Sequence, residues 1–124
     1  MKSEINYRAG KKEGVSKKWW ESGNLKYERS FKDGKQNGFS RGWYEDGQLW
    51  FERNFTDGKL NGLRKGWHEN GQLKFEYNYR DSKRDGLSRK WYDNGLLDYQ
   101  SNYKDGKLIS EKCFDKDGNK IICP

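Results

Sequence analysis

The chain is organised around one stretch, Gly58-Lys-Leu-Asn-Gly-Leu-Arg-Lys-Gly-Trp-His-Glu-Asn-Gly-Gln-Leu-Lys-Phe-Glu-Tyr-Asn-Tyr-Arg-Asp81. Its glycine, tryptophan and leucine residues return along most of the chain at a step of 24 residues. The clearest series are Gly10, Gly34 and Gly58, then Trp19, Trp43, Trp67 and Trp91, then Leu25, Leu49, Leu73 and Leu97. A fixed period of this size is typical of a repeat architecture.

We therefore predict a single repeat domain over residues 1–124. Its full units are residues 10–33, 34–57, 58–81 and 82–105. Residues 1–9 read as a partial N-terminal unit, and residues 106–124 as a degraded capping unit. Atypical terminal units are expected because they close the ends of a stack of repeats.

Each unit predicts a β-hairpin. Asp-Gly and Asn-Gly pairs between alternating aromatic segments are the strongest short-range hairpin signal. The first unit predicts strands at about residues 14–20 and 25–32, with turns at 21–24 and at Asp33-Gly34. No segment has helical periodicity, and glycine recurs too often for a helix. The fold class is therefore predicted to be all-β.

The turns also predict a register. If Ser22 and Gly23 are the central residues of one turn, and Asp33 and Gly34 of the next, both registers place the same side chains on one face. The predicted pairs are Trp20 with Leu25, Lys17 with Glu28, Gly38 with Arg29 and Phe39 with Glu28.

Two unlike faces follow from this register. The predicted core face carries Trp20, Leu25, Tyr27, Phe31, Gly14 and Ser16, and its glycines leave room for rings of the neighbouring strand. The other face carries the tryptophan series and a cross-strand ladder of charges. Its members are Lys17–Glu28, Arg41–Glu52 and Lys65–Glu76, and Arg89–Gln100 breaks the series because glutamine replaces the acid.

The composition predicts a thin, aromatic core and an acidic partner. Hydrophobic residues are only 31% of the chain, whereas aromatic residues reach 16% and charged residues 36%. The formal charge of +7 favours an acidic protein face, nucleic acid or an anionic membrane surface, or serves solubility alone. No run approaches the roughly 20 apolar residues of a membrane span, and we expect a cytoplasmic location.

No residue set predicts catalysis, a cofactor or a metal site. His68 is the single histidine and occupies the position of Trp20, Tyr44 and Tyr92 in the other units, which indicates a packing role. The turn register places Cys113 opposite Ile122 rather than Cys123, and cytosolic thiols are normally reduced. We therefore predict two free thiols, the alternative being a disulfide across the last hairpin.

The predicted binding residues lie on the charge-ladder face. Tryptophan, tyrosine and arginine are the usual anchors of protein interfaces. The alternative is that the tryptophan rings curl inward and pack as a second small core. The predicted set is Trp19, Trp43, Trp67 and Trp91 with Lys17, Arg41, Lys65 and Arg89.

One segment resembles a known family. Trp43-Tyr-Glu-Asp-Gly-Gln-Leu-Trp-Phe-Glu-Arg-Asn-Phe-Thr-Asp-Gly-Lys-Leu-Asn-Gly62 is similar to MORN-type repeats, and more narrowly to bacterial YwqK-type antitoxin proteins. The resemblance covers about residues 4–119. It implies a long, twisted, single-layer antiparallel meander that is open and elongated. Ser82, His68 and the shortened last unit depart from the pattern.

The resemblance also implies functions. MORN-type repeats are linked to protein scaffolding, to anionic phospholipids and, in the bacterial branch, to neutralising a toxin. We predict a non-enzymatic protein-binding module, the antitoxin or immunity partner of a toxin with an acidic surface. The alternatives are a binder of anionic phospholipid or nucleic acid, and a structural scaffold whose sheet edges pair into a homo-oligomer.

Overall fold

The computed structural model describes residues 3–124, which form β-strands and turns and contain no helix that could cross a membrane. The predicted partial unit 1–9 begins outside the described residues. The strands are β1 (Ser3–Glu4), β2 (Tyr7–Arg8), β3 (Lys11–Lys12), β4 (Gly14–Trp19), β5 (Leu25–Lys32), β6 (Lys35–Trp43), β7 (Leu49–Thr56), β8 (Lys59–Leu60), β9 (Gly62–Trp67), β10 (Leu73–Arg80), β11 (Lys83–Trp91), β12 (Leu97–Lys104), β13 (Lys107–Phe114) and β14 (Lys120–Ile121).

The strands form one long, open antiparallel sheet. Its order is β1-β4-β5-β6-β7-β9-β10-β11-β12-β13-β14, with β8 also paired to β7, while β2 and β3 form a small hairpin of their own. From β4 onward the order in space follows the order in sequence, as in a meander. The predicted all-β, open sheet of hairpin repeats is confirmed.

One kind of turn joins consecutive repeats. Asp33 and Gly34 both have positive φ, 50° and 82°, and Lys32 pairs with Lys35 across them. Positive φ at both central residues defines the type I′ turn, whose twist suits a hairpin. The same conformation recurs at residues 9–10, 57–58, 81–82 and 105–106.

The other kind of turn lies inside each repeat. The Gly23 amide donates to the Trp20 carbonyl at 2.9 Å, and the Trp20 amide donates to the Asn24 carbonyl at 2.7 Å. These bonds enclose a three-residue loop, Glu21–Gly23, with Gly23 at φ 97°. This is the loop in which a left-handed glycine follows a tight turn. The predicted two-residue centre at Ser22 and Gly23 is wrong by one residue.

A bulge after this turn changes which side chains share a face. Lys18 pairs with Tyr27, but the next pair is Trp19 with Leu25, which leaves Lys26 as an extra residue. The predicted pairing of Trp20 with Leu25 is therefore wrong. Leu25 moves from the face of Tyr27 to the face of the tryptophan series. A bulge re-aims side chains in this way because strand side chains alternate.

A second irregularity lies between repeats. Phe31 pairs with Gln36, whereas Arg29 pairs with Ser40, so β6 holds two extra residues around Gly38. The predicted pairs Gly38–Arg29 and Phe39–Glu28 are wrong, and Glu28 instead pairs with Arg41. A shift of two residues preserves the faces, because the side-chain period of a strand is two.

The interior of the sheet is thin, as predicted. Its fully buried side chains are small, with Ser40 and Ser88 at 0% exposure. Aromatic rings cover bare backbone: an added Cβ at Gly42 would lie 2.1 Å from Phe51 Cε2. Gly66 repeats this arrangement beneath Phe75, with a separation of 2.3 Å. Ring-over-glycine packing therefore occurs in the two central repeats, but at Gly42 and Gly66 rather than at the predicted position of Gly14, where the equivalent residues Gly38, Gly62 and Gly86 have no ring against them either.

Gly14 does not share in this packing, although we placed it on the core face for that purpose. A Cβ added at Gly14 would have no atom within 4 Å, and the φ of this residue is 78°. Its backbone conformation, rather than a covering ring, requires glycine there.

The predicted free thiols are wrong, because Cys113 and Cys123 form a disulfide with their Cα atoms 5.2 Å apart. Cys113 pairs with Ile121, and β14 ends at that residue. The following residues leave the register, which lets Cys123 reach back to Cys113. The bond ties the last segment to the end of the sheet.

Candidate functional site

The predicted ladder of cross-strand pairs is present on one face, and acidic or amide side chains lie beside most of its cations. Arg41 lies 3.6 Å from the Glu28 carboxylate and 3.5 Å from that of Glu52. Farther along, Lys65 Nζ lies 4.0 Å from Glu76, and Lys17 is the register partner of Glu28. In the variant rung, Arg89 Nε donates to Gln100 Oε1 at 3.2 Å. The predicted cations thus share one face, and Arg41, Lys65 and Arg89 already contact acidic or amide side chains there, whereas Lys17 is a register partner only.

The tryptophan series lies on the same face in a half-buried state. The backbone carbonyls of this series also accept hydrogen bonds within the chain. In each case the donor is the side chain of the residue that precedes the three-residue loop of the previous repeat. The bonds are Trp20 Nε1 to Trp43 O, Tyr44 Oη to Trp67 O, His68 Nε2 to Trp91 O and Tyr92 Oη to Phe114 O. Since a carbonyl only accepts, the bonded His68 Nε2 carries hydrogen. A binding role for the eight predicted residues stays a prediction.

The opposite face carries a row of arginines that the sequence reasoning missed. Ser40 pairs with Arg29 on one neighbouring strand and with Arg53 on the other. The observed pairs of β7 with β9 end at Glu52 and Lys65, and the next residues of these antiparallel strands, Arg53 and Arg64, are close enough for the charge of Arg64 to lower the pKa of Arg53. Two arginines therefore face each other on adjacent strands, with a third two strands away. Like charges directly opposite each other are destabilising in a sheet.

Each of these arginines lies against an aromatic ring. The guanidinium carbon is 4.2 Å from the Tyr27 ring centre for Arg29, and 4.6 Å from that of Phe51 for Arg53. For Arg64 the distance to the Phe75 ring is 5.3 Å. Cation–π contact of this kind restrains the guanidinium over the ring. Its edge then remains available for a bidentate bond to an oxyanion.

Within the described part of the chain, no acidic side chain forms an ion pair with the row. The Nε atoms of Arg29, Arg53 and Arg64 are buried without a hydrogen-bond partner. Burial lowers the pKa of Arg53, and the positive charges of Arg64 and Arg29 lower it further. Buried polar groups are nearly always paired, so an exception requires an explanation.

The three guanidiniums open into a cleft of about 450 Å³. Its lining contains five cationic side chains, five aromatic residues and one glycine, and it contains no acid. The lining residues are Lys26, Tyr27, Arg29, Trp50, Phe51, Arg53, Arg64, Gly66, Trp67, Lys74 and Phe75. Trp50 is 41% exposed. Such a surface can hold an anionic group against apolar walls.

The cleft exists because the central repeats differ from the outer ones. Gly42 and Gly66 occupy the position that Lys18 and Lys90 occupy in the outer repeats. Arg64 likewise replaces the serine found at Ser16, Ser40 and Ser88. This interruption of a serine series was the one signal in the sequence that could have revealed the site. Assigning the whole face to the core concealed it.

Comparison with known families agrees with the repeat. The family model described as MORN repeat variant matches four tandem segments, residues 12–33, 36–57, 60–81 and 84–105. No curated protein matches the chain. Because the four segments cover well over half of the sequence, the chain belongs to the MORN repeat variant family, whose all-β repeats generally form binding modules rather than enzymes.

Proposed function

We propose that the chain is a non-enzymatic protein-binding module that holds an acidic partner on its arginine face. The observation that carries this proposal is the row of Arg29, Arg53 and Arg64, whose buried Nε atoms have no hydrogen-bond partner and whose charges form no ion pair among residues 3–124. On the other face the Nε atom of Arg41 is likewise buried without a hydrogen bond, but the Arg41 guanidinium lies 3.6 Å and 3.5 Å from the carboxylates of Glu28 and Glu52, so its charge is compensated. In line with the resemblance to YwqK-type antitoxin proteins, we propose that the partner is a toxin.

Binding on this face follows from its chemistry. Carboxylates of the partner would accept charge-assisted hydrogen bonds from the guanidiniums, which are stronger than bonds between neutral groups. Apolar side chains of the partner would cover the exposed ring of Trp50 and the neighbouring ring of Phe51, whose centroids lie 5.2 Å apart. Buried aromatic and arginine anchors of this kind dominate interface energetics. No covalent step is involved.

The charge pattern around the cleft favours a protein over a long polyanion. Beyond Trp50 lies a second pocket, lined by Trp20, Tyr44, Glu45, Asp46, Trp50 and Glu69. Burial and the negative charges of Glu69 and Asp46 raise the pKa of Tyr44 there. A nucleic acid strand or a membrane surface reaching past Trp50 would meet these carboxylates. A protein surface can place an acidic patch on the arginines and a different patch beside it.

The test is co-purification followed by a growth assay. Tagged wild-type protein, the Arg53→Gln/Arg64→Gln variant and the Arg41→Gln control are recovered from the native host. The partner identified with the wild type is then expressed with and without each variant. We expect the partner to arrest growth when alone, and the wild type and Arg41→Gln to bind it and restore growth. The double variant is expected to lose both effects.

Two results would reject the proposal. Recovery of no stoichiometric protein with the wild type would reject protein binding. Retention of the partner by Arg53→Gln/Arg64→Gln at the wild-type level would remove the arginine face from the interface. A partner that needs both arginines but does not arrest growth would reject the toxin assignment alone.

A further inference from the structure

We infer that the cleft selects an extended segment whose acidic side chains occupy alternate positions, with the segment running across the strands. This inference rests on the proposed protein-binding function and specifies the chemistry of the partner. Three acidic side chains, one for each of Arg29, Arg53 and Arg64, would complete the row.

The spacing of the arginines is the first argument. Arg29 lies on β5, Arg53 on β7 and Arg64 on β9, and β6 is the intervening strand. Neighbouring strands are about 4.8 Å apart, so the row spans roughly 14 Å. An extended chain rises about 3.4 Å per residue and points alternate side chains to one face. Three acids at alternate positions therefore also span roughly 14 Å, with the middle acid at about 7 Å. The guanidiniums lie at roughly 0, 10 and 14 Å along the same line, so the outer acids match Arg29 and Arg64, and the middle side chain leans about 3 Å toward Arg53.

Contiguous acids do not match this row. In an extended segment the middle of three consecutive side chains points away from the other two. Only two of three consecutive carboxylates then reach the sheet, and these span about 7 Å, half of the row.

The limits of the row are the second argument. Beyond Arg64 the next register partner is Tyr77, and beyond Tyr77 it is Ser88. At the other end, Arg29 pairs with Ser16. No further guanidinium continues the line on either side among residues 3–124, so three charges saturate it. This length suits a short acidic segment better than a polyanion.

The third argument is that the row is held in place before any ligand arrives. Each guanidinium is stacked on a ring, and two of these rings lie on the bare backbone of Gly42 and Gly66. An anchored arginine loses less conformational freedom on binding than a mobile lysine. Preorganisation of this kind increases affinity by lowering the entropic cost of association.

The test compares two end-blocked peptide isomers of the same charge. One has three glutamates alternating with two valines, and the other has three consecutive glutamates followed by two valines. Binding to the full chain is followed by tryptophan fluorescence, to which the exposed Trp50 of the cleft contributes, and checked by calorimetry. A single-stranded oligothymidine serves as the polyanion.

We expect the alternating peptide to bind at least tenfold more tightly than its isomer. We expect the same margin over the oligothymidine, when the affinity of the latter is expressed per binding site. Arg64→Ser, which installs the residue of the sister repeats, is expected to weaken the alternating peptide at least tenfold. Arg80→Gln removes the same charge from the exposed end of β10, outside the cleft lining, and is expected to change binding less than twofold.

Equal binding of the isomers, no binding of either, or tighter binding of the oligothymidine would overturn the inference. None of these results bears on whether a protein partner depends on Arg53 and Arg64. The co-purification experiment decides that question. Failure of the predicted preference for alternating acids can therefore be distinguished from failure of the proposed function.

Discussion

Arg53 and Arg84 show two ways of burying a guanidinium on the same face of the sheet. Arg53 lies 4.6 Å from the Phe51 ring with its Nε unpaired, and its pKa is lowered. Arg84 lies 4.4 Å from the Tyr77 ring and donates to the Tyr103 hydroxyl at 3.2 Å. Burial lowers the pKa of Arg84, but hydrogen bonds to tyrosine hydroxyls raise it by more, so the net change is upward.

The difference comes from single positions of one repeat. Tyr77 occupies the position of Arg29 and Arg53, and its hydroxyl lies 2.7 Å from that of Tyr99. In the C-terminal half, tyrosine hydroxyl groups therefore provide hydrogen-bond partners for the buried polar groups. The disulfide also links the last segment to the end of the sheet. In the central half the corresponding guanidiniums lack such partners among residues 3–124. Proteins commonly violate local pairing rules at functional sites, so this contrast supports the proposed site.

The largest expected effect comes from removing the disulfide at the C-terminal end of the sheet. Reducing the disulfide, or introducing Cys113→Ser with Cys123→Ser, should cost about 2–3 kcal/mol, because the bond closes a loop with a sequence separation of 10. Since repeats contact only their neighbours, the loss should be confined to β12, β13 and β14. Hydrogen exchange of β13 amides against β7 amides measures it. Equal loss of protection in β7 would show that the two halves are not independent.

A second effect tests whether the aromatic rings of the cleft require glycine beneath them. Gly66→Ala places a Cβ 2.3 Å from Phe75 Cε2, and overpacking of this kind costs about 1–3 kcal/mol. Lys90→Ala, at the same position of the next repeat, should cost less than about 1 kcal/mol. Urea denaturation compares the two variants. Similar losses would mean that the ring does not depend on bare backbone.

A smaller effect concerns the hydrogen-bonded hydroxyl groups of Tyr77 and Tyr99 in the C-terminal half. Burial, followed by the hydrogen bond with Tyr99, raises the pKa of Tyr77 above its ordinary value of 10.0. A raised pKa stabilises the fold fully below pH 10, and this stability is lost as the pH rises toward the folded-state value. Tyr77→Phe should cost about 1 kcal/mol at neutral pH and should flatten the alkaline loss. An unchanged alkaline slope in that variant would contradict the assignment.

The fold could be predicted because local signals repeat. Asp33-Gly34 specifies a type I′ turn, and the 24-residue step of the tryptophans fixes the repeat. The bulge at Lys26 could not be predicted, because a bulge interrupts the alternation on which register arguments depend. The free-thiol prediction failed for another reason. It relied on an assumed compartment and on a register that ends at Ile121.

The candidate site was harder to predict than the fold. Alternation assigned Arg29 and Arg53 to the same face as Tyr27 and Phe51, and that face was interpreted as core. Whether a guanidinium has a partner depends on three-dimensional neighbours such as Tyr103 beside Arg84. Such neighbours cannot be read from spacing.

The central claim is that the arginine row lacks hydrogen-bonding and acidic partners among residues 3–124. The free energy of unfolding of Arg64→Ser, measured beside Arg84→Ser by urea denaturation, tests it most directly. We expect Arg64→Ser to lie within about 0.5 kcal/mol of the wild type or above it, because relief of like-charge contact offsets the lost ring contact. Arg84→Ser should lose about 1–2 kcal/mol with its charge-assisted hydrogen bond. An equal loss in Arg64→Ser would contradict the account, since Arg64 would then stabilise the fold as Arg84 does.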